Sequence, residues 1–266
     1  MSSARPSILI SLATYNERDN LLPLIQGIRA ELPDAHILVI DDNSPDGTGQ
    51  VADEAAAADT RVHVMHRPGK LGLGTAIMEA MRYAIEHDYD FLINMDADFS
   101  HHPRYLPAIV DGMKSLDVMI GSRYVPGGGA VGWPLSRRLI SRCLNTLVRL
   151  TMGIPARDAS GAYRCYRVAK LRETDLTNLL SRGYSFQQEI LYRCRLAGCR
   201  IGETPIIFEN RRAGSSKVNP AEAVRSMAVI LWLGVTALTR HRRQKPIIST
   251  DFTDSADKNQ PKSELS

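Results

Sequence analysis

Acidic residues that directly follow two apolar segments are the clearest sign of chemistry in this sequence. Residues 37–40 run into Asp41-Asp42, and residues 91–95 run into Asp96-Ala97-Asp98. In an open α/β sheet, ligands bind at the carboxyl ends of the strands, so carboxylates there are well placed to hold a nucleoside and a metal. The Asp-x-Asp spacing suits Mg²⁺ or Mn²⁺, hard cations that take oxygen ligands and often share them with phosphates. The chain is therefore predicted to bind a charged nucleotide.

The Asp96-Ala97-Asp98 motif is the strongest of these local signals. Alternation along an extended segment places both carboxylates on one side, and the small Ala97 leaves room for a ligand. A divalent metal bound there would neutralise a diphosphate leaving group. One alternative is a capped turn before Pro103. Another is glycoside hydrolysis, although carboxylates two residues apart suit a shared metal better than opposite sides of a sugar.

Polar residues that follow the first two apolar segments offer contacts to the rest of a nucleotide. The ring of Tyr15 could stack on a base, and Glu17 could accept hydrogen bonds from a base or ribose edge. The alternative for this loop is a capped strand-to-helix connection. One of the two carboxylates, Asp41 or Asp42, could reach a ribose or base while the other caps the turn, and the alternative there is a plain Asx-turn.

Basic residues near the loops are candidates for phosphate contacts. They are Arg123, Arg137, Arg211 and Lys217. An arginine side chain offers a planar fork matched to phosphate, and a lysine side chain offers a point charge. The formal net charge is only +4, but a further basic cluster at residues 240–245 fits an anionic membrane surface. The alternative for that cluster is a solvated basic face.

Length and composition are those of a globular protein with one large domain. The 266 residues allow a substantial core, and 44% hydrophobic with 23% charged residues is an ordinary balance. The four cysteines form no C-x-x-C pair, which favours thiols in a reducing compartment. The first residues show no secretory signal, so we expect the protein in the cytosol or on the cytosolic face of a membrane.

Apolar periodicity predicts strands that alternate with helices up to residue 122. The strands are predicted over residues 7–12, 36–40, 62–66, 91–95 and 118–122, and the helices over 19–31, 48–58, 75–84 and 103–114. Such alternation implies βαβ units, a mostly parallel sheet and a Rossmann-like layered α/β domain. Further on we expect a mobile glycine-rich loop over 125–133, helices over 136–152 and 186–196, a strand over 162–167, and a strand pair or bend over 201–208.

The C-terminal part is predicted to consist of two segments beyond a catalytic domain at residues 1–219. Residues 220–240 are expected to form an amphipathic helix, and residues 241–266 a basic and then polar disordered tail. The apolar core of that helix, residues 227–238, would be about 18 Å long, short of the roughly 30 Å of a bilayer core. It could lie in the membrane interface with Trp232 as an anchor. The alternative is a helix packed on the catalytic domain.

The motifs, taken in their order along the chain, resemble the family-two glycosyltransferases, which have a glycosyltransferase A-type fold. The order is residues 13–17, then 41–48, then 96–98. Within that family the chain looks most like the dolichyl-phosphate (polyprenyl-phosphate) β-mannosyltransferases. The blocks that carry this closer resemblance are residues 96–103, 121–124, 132–138, Asp158, 160–161, 186–189 and 214–217.

The resemblance implies inverting transfer of mannose from GDP-mannose to dolichyl or another polyprenyl phosphate at a membrane surface. It implies Mg²⁺ or Mn²⁺ as cofactor, small membrane subunits as conceivable partners, and no nucleic acid. By the same resemblance the donor site would comprise Ala13, Tyr15, Glu17, Ile40, Asp42, Asp96, Ala97, Asp98, Arg123, Arg211 and Lys217. Arg137 would bind the acceptor phosphate, Asp96, Asp98 and Ser100 the metal, and Asp96, Asp98 and Arg123 would be catalytic.

Two positions depart from the family pattern, and two other functions stay open. Ser100 stands where the family often has a glutamine ligand, and Ala13 replaces a more usual proline. A related transferase that uses UDP-glucose is one alternative, and a non-catalytic nucleotide-sugar-binding scaffold at a membrane is another.

A phosphate acceptor is largely ionised near neutrality, since its second pKa is about 6, which would explain why the motifs contain no obvious histidine base.

Overall fold

The computed structural model describes residues 5–177, 179–181, 183, 185–209 and 227–237. Several sequence predictions lie outside these residues. They are Arg211 and Lys217 as phosphate ligands, the basic cluster at residues 240–245, and the tail at residues 241–266.

A seven-stranded mixed sheet forms the centre of the fold. Its strands are β1 (Ile8–Thr14), β2 (His36–Asp41), β3 (Val62–His66), β4 (Phe91–Asp96), β5 (Val118–Ser122), β7 (Arg164–Arg167) and β8 (Ile201–Pro205). Their order is β3-β2-β1-β4-β7-β5-β8, in which β7 is antiparallel to both neighbours and all other pairs are parallel. Two short strands, β6 (Gly129–Ala130) and β9 (Ile207–Phe208), pair beside the sheet. The predicted α/β fold with a mostly parallel sheet is thus confirmed.

Helices cover both faces of the sheet. They are α1 (Arg18–Glu31), α2 (Thr48–Ala58), α3 (Leu73–Glu86), α4 (Leu106–Gly112), α5 (Leu135–Met152), α6 (Val168–Glu173), α7 (Phe186–Leu196) and α8 (residues 227–237). The single helix predicted over residues 103–114 is wrong in detail, because a 3₁₀ turn, Pro103–Tyr105, precedes α4. The predicted mobile loop at 125–133 contains β6, and the strand predicted from residue 162 begins at Arg164.

Alternating side chains of the strands feed two apolar layers. Leu9 and Leu92 belong to a core with α3, α5, α7 and α8, whereas Ile10 and Ile93 belong to a core with α1, α2 and α4. Successive side chains of a strand point to opposite faces, so a strand covered on both sides is apolar along its length. This double burial is why β1 and β4 are mostly apolar along their length, with Ser11 and Asn94 among the buried polar exceptions.

Helix α8 packs against the second half of α5. Ile230 and Leu233 share a buried cluster with Val148, and a Cβ added at Gly234 would lie 3.0 Å from Thr151 Oγ1. The packed arrangement that the sequence left as an alternative is therefore present. Among the described residues, no helix has both the length and the apolar character that crossing a bilayer requires.

Candidate active site

A pocket of about 460 Å³ lies at the carboxyl ends of the central strands. The parallel register of β1 and β4 sets Ala13 beside Asp96, so the loops that follow these two strands meet there. The predicted site residues that line the pocket are Ala13, Tyr15, Glu17, Asp96, Ala97, Asp98, Arg123 and Arg137. Ile40, Asp42 and Ser100 are not in its lining. The fold thus brings together most, but not all, of the predicted set.

The turn after β4 holds the two aspartates in different surroundings. Asp98 is buried, and its Oδ1 accepts a 3.0 Å hydrogen bond from the backbone N–H of Ser100. The side chain of Asp96 is 31% exposed and reaches the pocket. Phe99, which follows Asp98, adopts a φ of 63°, which turns the chain sharply back. The capped turn that the sequence left as an alternative therefore coexists with two carboxylates in one pocket.

His101 also lines the pocket but is engaged with the backbone. Its Nδ1 accepts a 3.0 Å hydrogen bond from the N–H of Asp96, which leaves the ring proton on Nε2 when the imidazole is neutral. The ring stacks on Tyr163 with centroids 4.9 Å apart. The ring of His101 therefore supports the backbone at Asp96. The sequence indicated His101 only as a member of the resemblance block at residues 96–103.

The pocket residues fit a divalent cation that shares its ligands with a diphosphate. Among the described residues, no group of three or more His, Cys, Asp or Glu side chains is arranged to hold a metal. Asp96 and Asp98 are the predicted acidic ligands, and such a pair fits Mg²⁺, which typically takes one or two carboxylates with phosphate and water oxygens. The Oγ of Ser100 is buried and has no hydrogen-bond partner in the described structure. Its predicted role as a ligand stays a prediction, because Ser100 does not line the pocket.

Arg123 is held in the pocket wall by a buried carboxylate. Its Nε and Nη2 each donate to Asp158 at 2.7 Å, and Nη2 also donates to Ser160 Oγ at 2.8 Å. Burial by itself would raise the pKa of Asp158, but the hydrogen bonds and charge of Arg123 outweigh it and lower the pKa. Asn145 of α5 in turn bonds both the N–H and the Oγ of Ser160. The guanidinium is thus fixed before any ligand arrives.

An aromatic side chain connects the two arginines of the pocket. The guanidinium carbon of Arg123 lies 5.2 Å from the ring centre of Trp133, and that of Arg137 lies 4.1 Å from it. Phe208 of β9 meets the same indole edge-on, with centroids 5.5 Å apart. Cation–π contacts of this kind hold positive charge beside an apolar wall. Trp133 therefore positions two candidate phosphate ligands.

Lys70 is a pocket residue that sequence reasoning did not assign. Its Nζ lies 4.4 Å from the ring centre of Tyr15, in the loop between β3 and α3. One face of the ring predicted to stack on a base is therefore covered by an ammonium group. The sequence signal was the glycine-rich loop at residues 69–74, which indicates close approach of backbone to a ligand.

Asp42 was predicted to contact the ribose or base, and the structure instead pairs it with Arg67. Both side chains are buried, and Arg67 Nε donates to Asp42. Arg67 also donates to Thr75 Oγ1 at 2.7 Å at the start of α3. The sequence left open which of the two aspartates caps the turn, and in the structure it is Asp41, since Ser44 N donates to Asp41 Oδ2 at 3.0 Å. Direct ligand contact by Asp42 stays a prediction, and the observed pair connects the loops after β2 and β3.

Two buried polar side chains of the pocket have unused hydrogen-bonding capacity. Both amide atoms of Gln187 and the Nε1 of Trp133 have no partner in the described structure, and both residues line the pocket. Buried polar groups are nearly always paired, so unpaired ones beside a cavity indicate ligand contacts. Gln187 is the second residue of α7. The sequence marked residues 186–189 as a resemblance block without assigning them a role.

Sequence comparison shows which class of protein this fold and pocket belong to. Residues 9–174 match the sequence family described as Glycosyl transferase family 2. The chain belongs to this family, as the resemblance of its motifs predicted.

Two named relatives are similar to the chain over most of their length. The chain is 43% identical over 212 residues to an undecaprenyl-phosphate mannosyltransferase from Micrococcus luteus, covering 80% of this chain and 87% of the relative. It is 41% identical over 239 residues to a polyprenol monophosphomannose synthase from Mycolicibacterium smegmatis, covering 88% of this chain and 90% of the relative.

Solved structures share the fold at low sequence identity. Glucosyl-3-phosphoglycerate synthase from Mycobacterium tuberculosis, crystallised with Mn²⁺, UDP-glucose and phosphoglyceric acid, superposes with a TM-score of 0.60 at 17% identity, covering 88% of this chain and 80% of that chain. A mannosyltransferase from Pyrobaculum calidifontis in complex with GDP-Man and Mn²⁺ has a TM-score of 0.52 at 14% identity, covering 92% and 77%. At such identities the likeness concerns the fold.

Proposed function

We propose that this protein transfers mannose from GDP-mannose to a polyprenyl phosphate such as dolichyl phosphate, with inversion at the anomeric carbon. The observation that carries the proposal is the division of charge within one pocket. Asp96 and Asp98 lie at the end of β4, and Lys70, Arg123 and Arg137 line the same pocket. A site that binds a metal ion with a diphosphate, and a second phosphate beside them, needs acidic side chains for the metal and basic side chains for the phosphates. The names of the two relatives support mannose as the sugar and a polyprenyl phosphate as the acceptor.

The donor half of the site is assigned to the residues around Asp96. Asp96 and Asp98 would hold Mg²⁺ or Mn²⁺, and the cation when bound would neutralise charge on the departing nucleoside diphosphate. Tyr15 and Glu17 line the same pocket on the β1 side and are assigned to the nucleoside. Lys70 beside Tyr15 adds a positive charge where a diphosphate would pass. The complexes of related fold with Mn²⁺ and nucleotide sugars support this assignment.

The acceptor half is assigned to Arg137 and its neighbours on α5. Arg137 lies in the first turn of that helix, lines the pocket and stacks on Trp133. A lipid phosphate is largely a dianion near neutral pH, since its second pKa is about 6, so attack on the sugar needs no general base. In-line attack from the face opposite the leaving group inverts the anomeric carbon. Catalysis would then rest on alignment and on neutralisation of charge.

Peripheral association with the cytosolic face of a membrane is part of this proposal. Large apolar side chains are exposed together on two helices that pack against each other, namely Leu135, Leu139, Ile140 and Leu150 of α5 with Leu231, Trp232 and Val235 of α8. Exposed apolar patches on soluble domains mark protein or membrane contacts. A polyprenyl chain enters water only at high cost, so an enzyme that reads its phosphate must approach the bilayer surface. Small membrane subunits covering this face would be the alternative means of attachment.

A radiolabelled-donor assay tests the proposal. Membranes or detergent-dispersed polyprenyl phosphate are supplied with GDP-mannose or UDP-glucose, each with and without a chelator. We expect transfer from GDP-mannose that the chelator abolishes and that added Mg²⁺ or Mn²⁺ restores. An Arg137→Gln variant should raise the KM for the lipid phosphate and leave the KM for the donor unchanged. Preference for UDP-glucose, or transfer unaffected by the chelator, would overturn the assignment.

A further inference from the structure

A second recess, separate from the catalytic pocket, is lined by three arginines. It has a volume of about 280 Å³ and is formed by Tyr124, Arg142, Asn145, Thr146, Arg149 and Arg157. None of these residues lines the catalytic pocket. Arg142 and Arg149 are two helical turns apart on α5, so their side chains project from the same side of the helix. The third arginine follows the end of α5 and completes a cluster that no assigned function uses.

The positive charge of this recess is not neutralised within the described part of the chain. None of the three guanidinium groups forms an ion pair there, whereas other arginines such as Arg123 and Arg67 do. Glu203 accepts hydrogen bonds from the backbone N–H groups of Arg157 and Asp158 at 2.7 and 2.9 Å. It therefore serves the loop backbone. Unpaired guanidinium groups around one concavity attract an anion, and their planar fork matches a phosphate group.

The position of the recess on α5 indicates which anion it receives. Around the helix, Arg142 and Arg149 lie next to Leu139 and Leu150, whose side chains are 63% and 72% exposed. A helix with an apolar outer face and a basic flank lies in a membrane interface with its basic residues at the level of the lipid headgroups. A free phosphate would make no use of the adjoining apolar side chains. A phospholipid would use both features.

We propose that Arg142, Arg149 and Arg157 bind the phosphate of an anionic phospholipid headgroup, outside the catalytic pocket. The proposal rests on the membrane association proposed above, and not on the identity of the sugar donor. Tyr124 lines the recess, follows Arg123 in sequence, and donates through its hydroxyl to Ser141 Oγ at 2.6 Å. A lipid bound here would hold α5, the helix that also carries Arg137, at the bilayer surface.

Vesicle sedimentation with matched charge variants tests this site. The variant is Arg142→Gln with Arg149→Gln, and the control is Arg61→Gln with Arg82→Gln, two exposed arginines on other elements whose loss changes the net charge equally. Vesicles are made of phosphatidylcholine alone, or of equal parts phosphatidylcholine and phosphatidylglycerol. At about 1 kcal/mol per basic residue near an anionic surface, we expect the variant to bind the mixed vesicles about 25-fold more weakly. The control should bind them as the wild type does.

Further arms separate the possible outcomes. Binding to phosphatidylcholine alone should be equal in all three proteins, and excess glycerol 3-phosphate should not displace the wild type from mixed vesicles. Equal binding by variant and control would overturn the site, and displacement by glycerol 3-phosphate would show that it takes a free phosphate instead. Mannosyl transfer to a short, water-dispersible polyprenyl phosphate is measured separately. Its absence would refute the proposed function while leaving the vesicle result to decide the headgroup site.

Discussion

Arg123 and Asp158 form a two-point ion pair directly behind the pocket, with side chains that are 9% and 0% exposed. Asp158 also accepts hydrogen bonds from the backbone N–H groups of Arg123 and Gly161, each at 3.0 Å. The carboxylate of Asp158 therefore fixes both the residue that follows β5 and the loop that precedes β7. The geometry of the pocket wall depends on this one pair.

Replacement of Asp158 by asparagine is expected to destabilise the protein and impair transfer. The change leaves Arg123 buried without a counter-charge, which typically costs about 3–5 kcal/mol. Urea unfolding followed by circular dichroism measures the loss in the free energy of unfolding. Asp111→Asn, at an exposed site where the carboxylate pairs with Lys114, is the control and should change little. A variant as stable as the wild type would contradict the role assigned to the pair.

Acid should weaken the protein through Asp117, which joins Arg167 and Arg200. Hydrogen bonds from Arg200 hold the pKa of Asp117 down to about 2, and the charge of Arg200 and a hydrogen bond from Arg167 add to this effect. In the unfolded chain the pKa is about 3.9, so the ionised form stabilises the fold above about pH 4, and this is lost as the pH falls towards about 2. In unfolding experiments across pH, the stability gap between wild type and Asp117→Asn should be constant above about pH 5 and shrink below about pH 4. A gap that widens on acidification would contradict this.

Asp98→Asn is expected to abolish most transfer without unfolding the protein. The asparagine oxygen can still accept the hydrogen bond from Ser100 N, but a neutral amide is a poor ligand for a hard cation. Loss of several kcal/mol of transition-state stabilisation corresponds to a rate about 10³-fold lower. The rate with GDP-mannose and the thermal midpoint are measured side by side, with Asp111→Asn as the control. Chelator-sensitive transfer at the wild-type rate would show that Asp98 does not bind the metal.

Gln187→Met should separate stability from function. The amide of Gln187 is buried without a partner in the described structure, at a cost of about 1–3 kcal/mol, and methionine has a similar volume. We expect the free energy of unfolding to rise by about 1 kcal/mol and kcat/KM for the donor to fall about tenfold to a hundredfold. Gln50→Met, at an exposed position of α2, is the matched control. Unchanged kcat/KM would mean that this amide does not contact substrate.

Leu139→Gln should weaken binding to uncharged membranes. The side chain is exposed on α5, and burial of a leucine contributes about 1.5–3 kcal/mol. Sedimentation with phosphatidylcholine vesicles should show about tenfold to a hundredfold weaker binding. Leu22 on α1 is also exposed, so Leu22→Gln tests whether the loss of any exposed leucine has this effect. Equal loss in both variants would argue against α5 as the membrane-facing helix.

Much of the fold was predictable because the central strands are buried on both faces. Strands β3 and β5 and helices α2 and α7 match their predicted bounds residue for residue. Their apolar runs and flanking turn residues are local properties that tertiary contacts reinforce. The antiparallel insertion of β7 between β4 and β5 was not predictable, because pairing across a long excursion of the chain depends on which edge is free.

The sequence by itself determined the class of the fold, the family, and the acidic turn at Asp96 and Asp98, since each depends on residue type and short spacing. Only the tertiary structure decided the partners: Arg67 for Asp42, Asp158 for Arg123, and Lys70 over Tyr15. These contacts join loops that follow different strands. A side chain's partner depends on register, loop path and rotamer in three dimensions, and the local sequence encodes none of these directly.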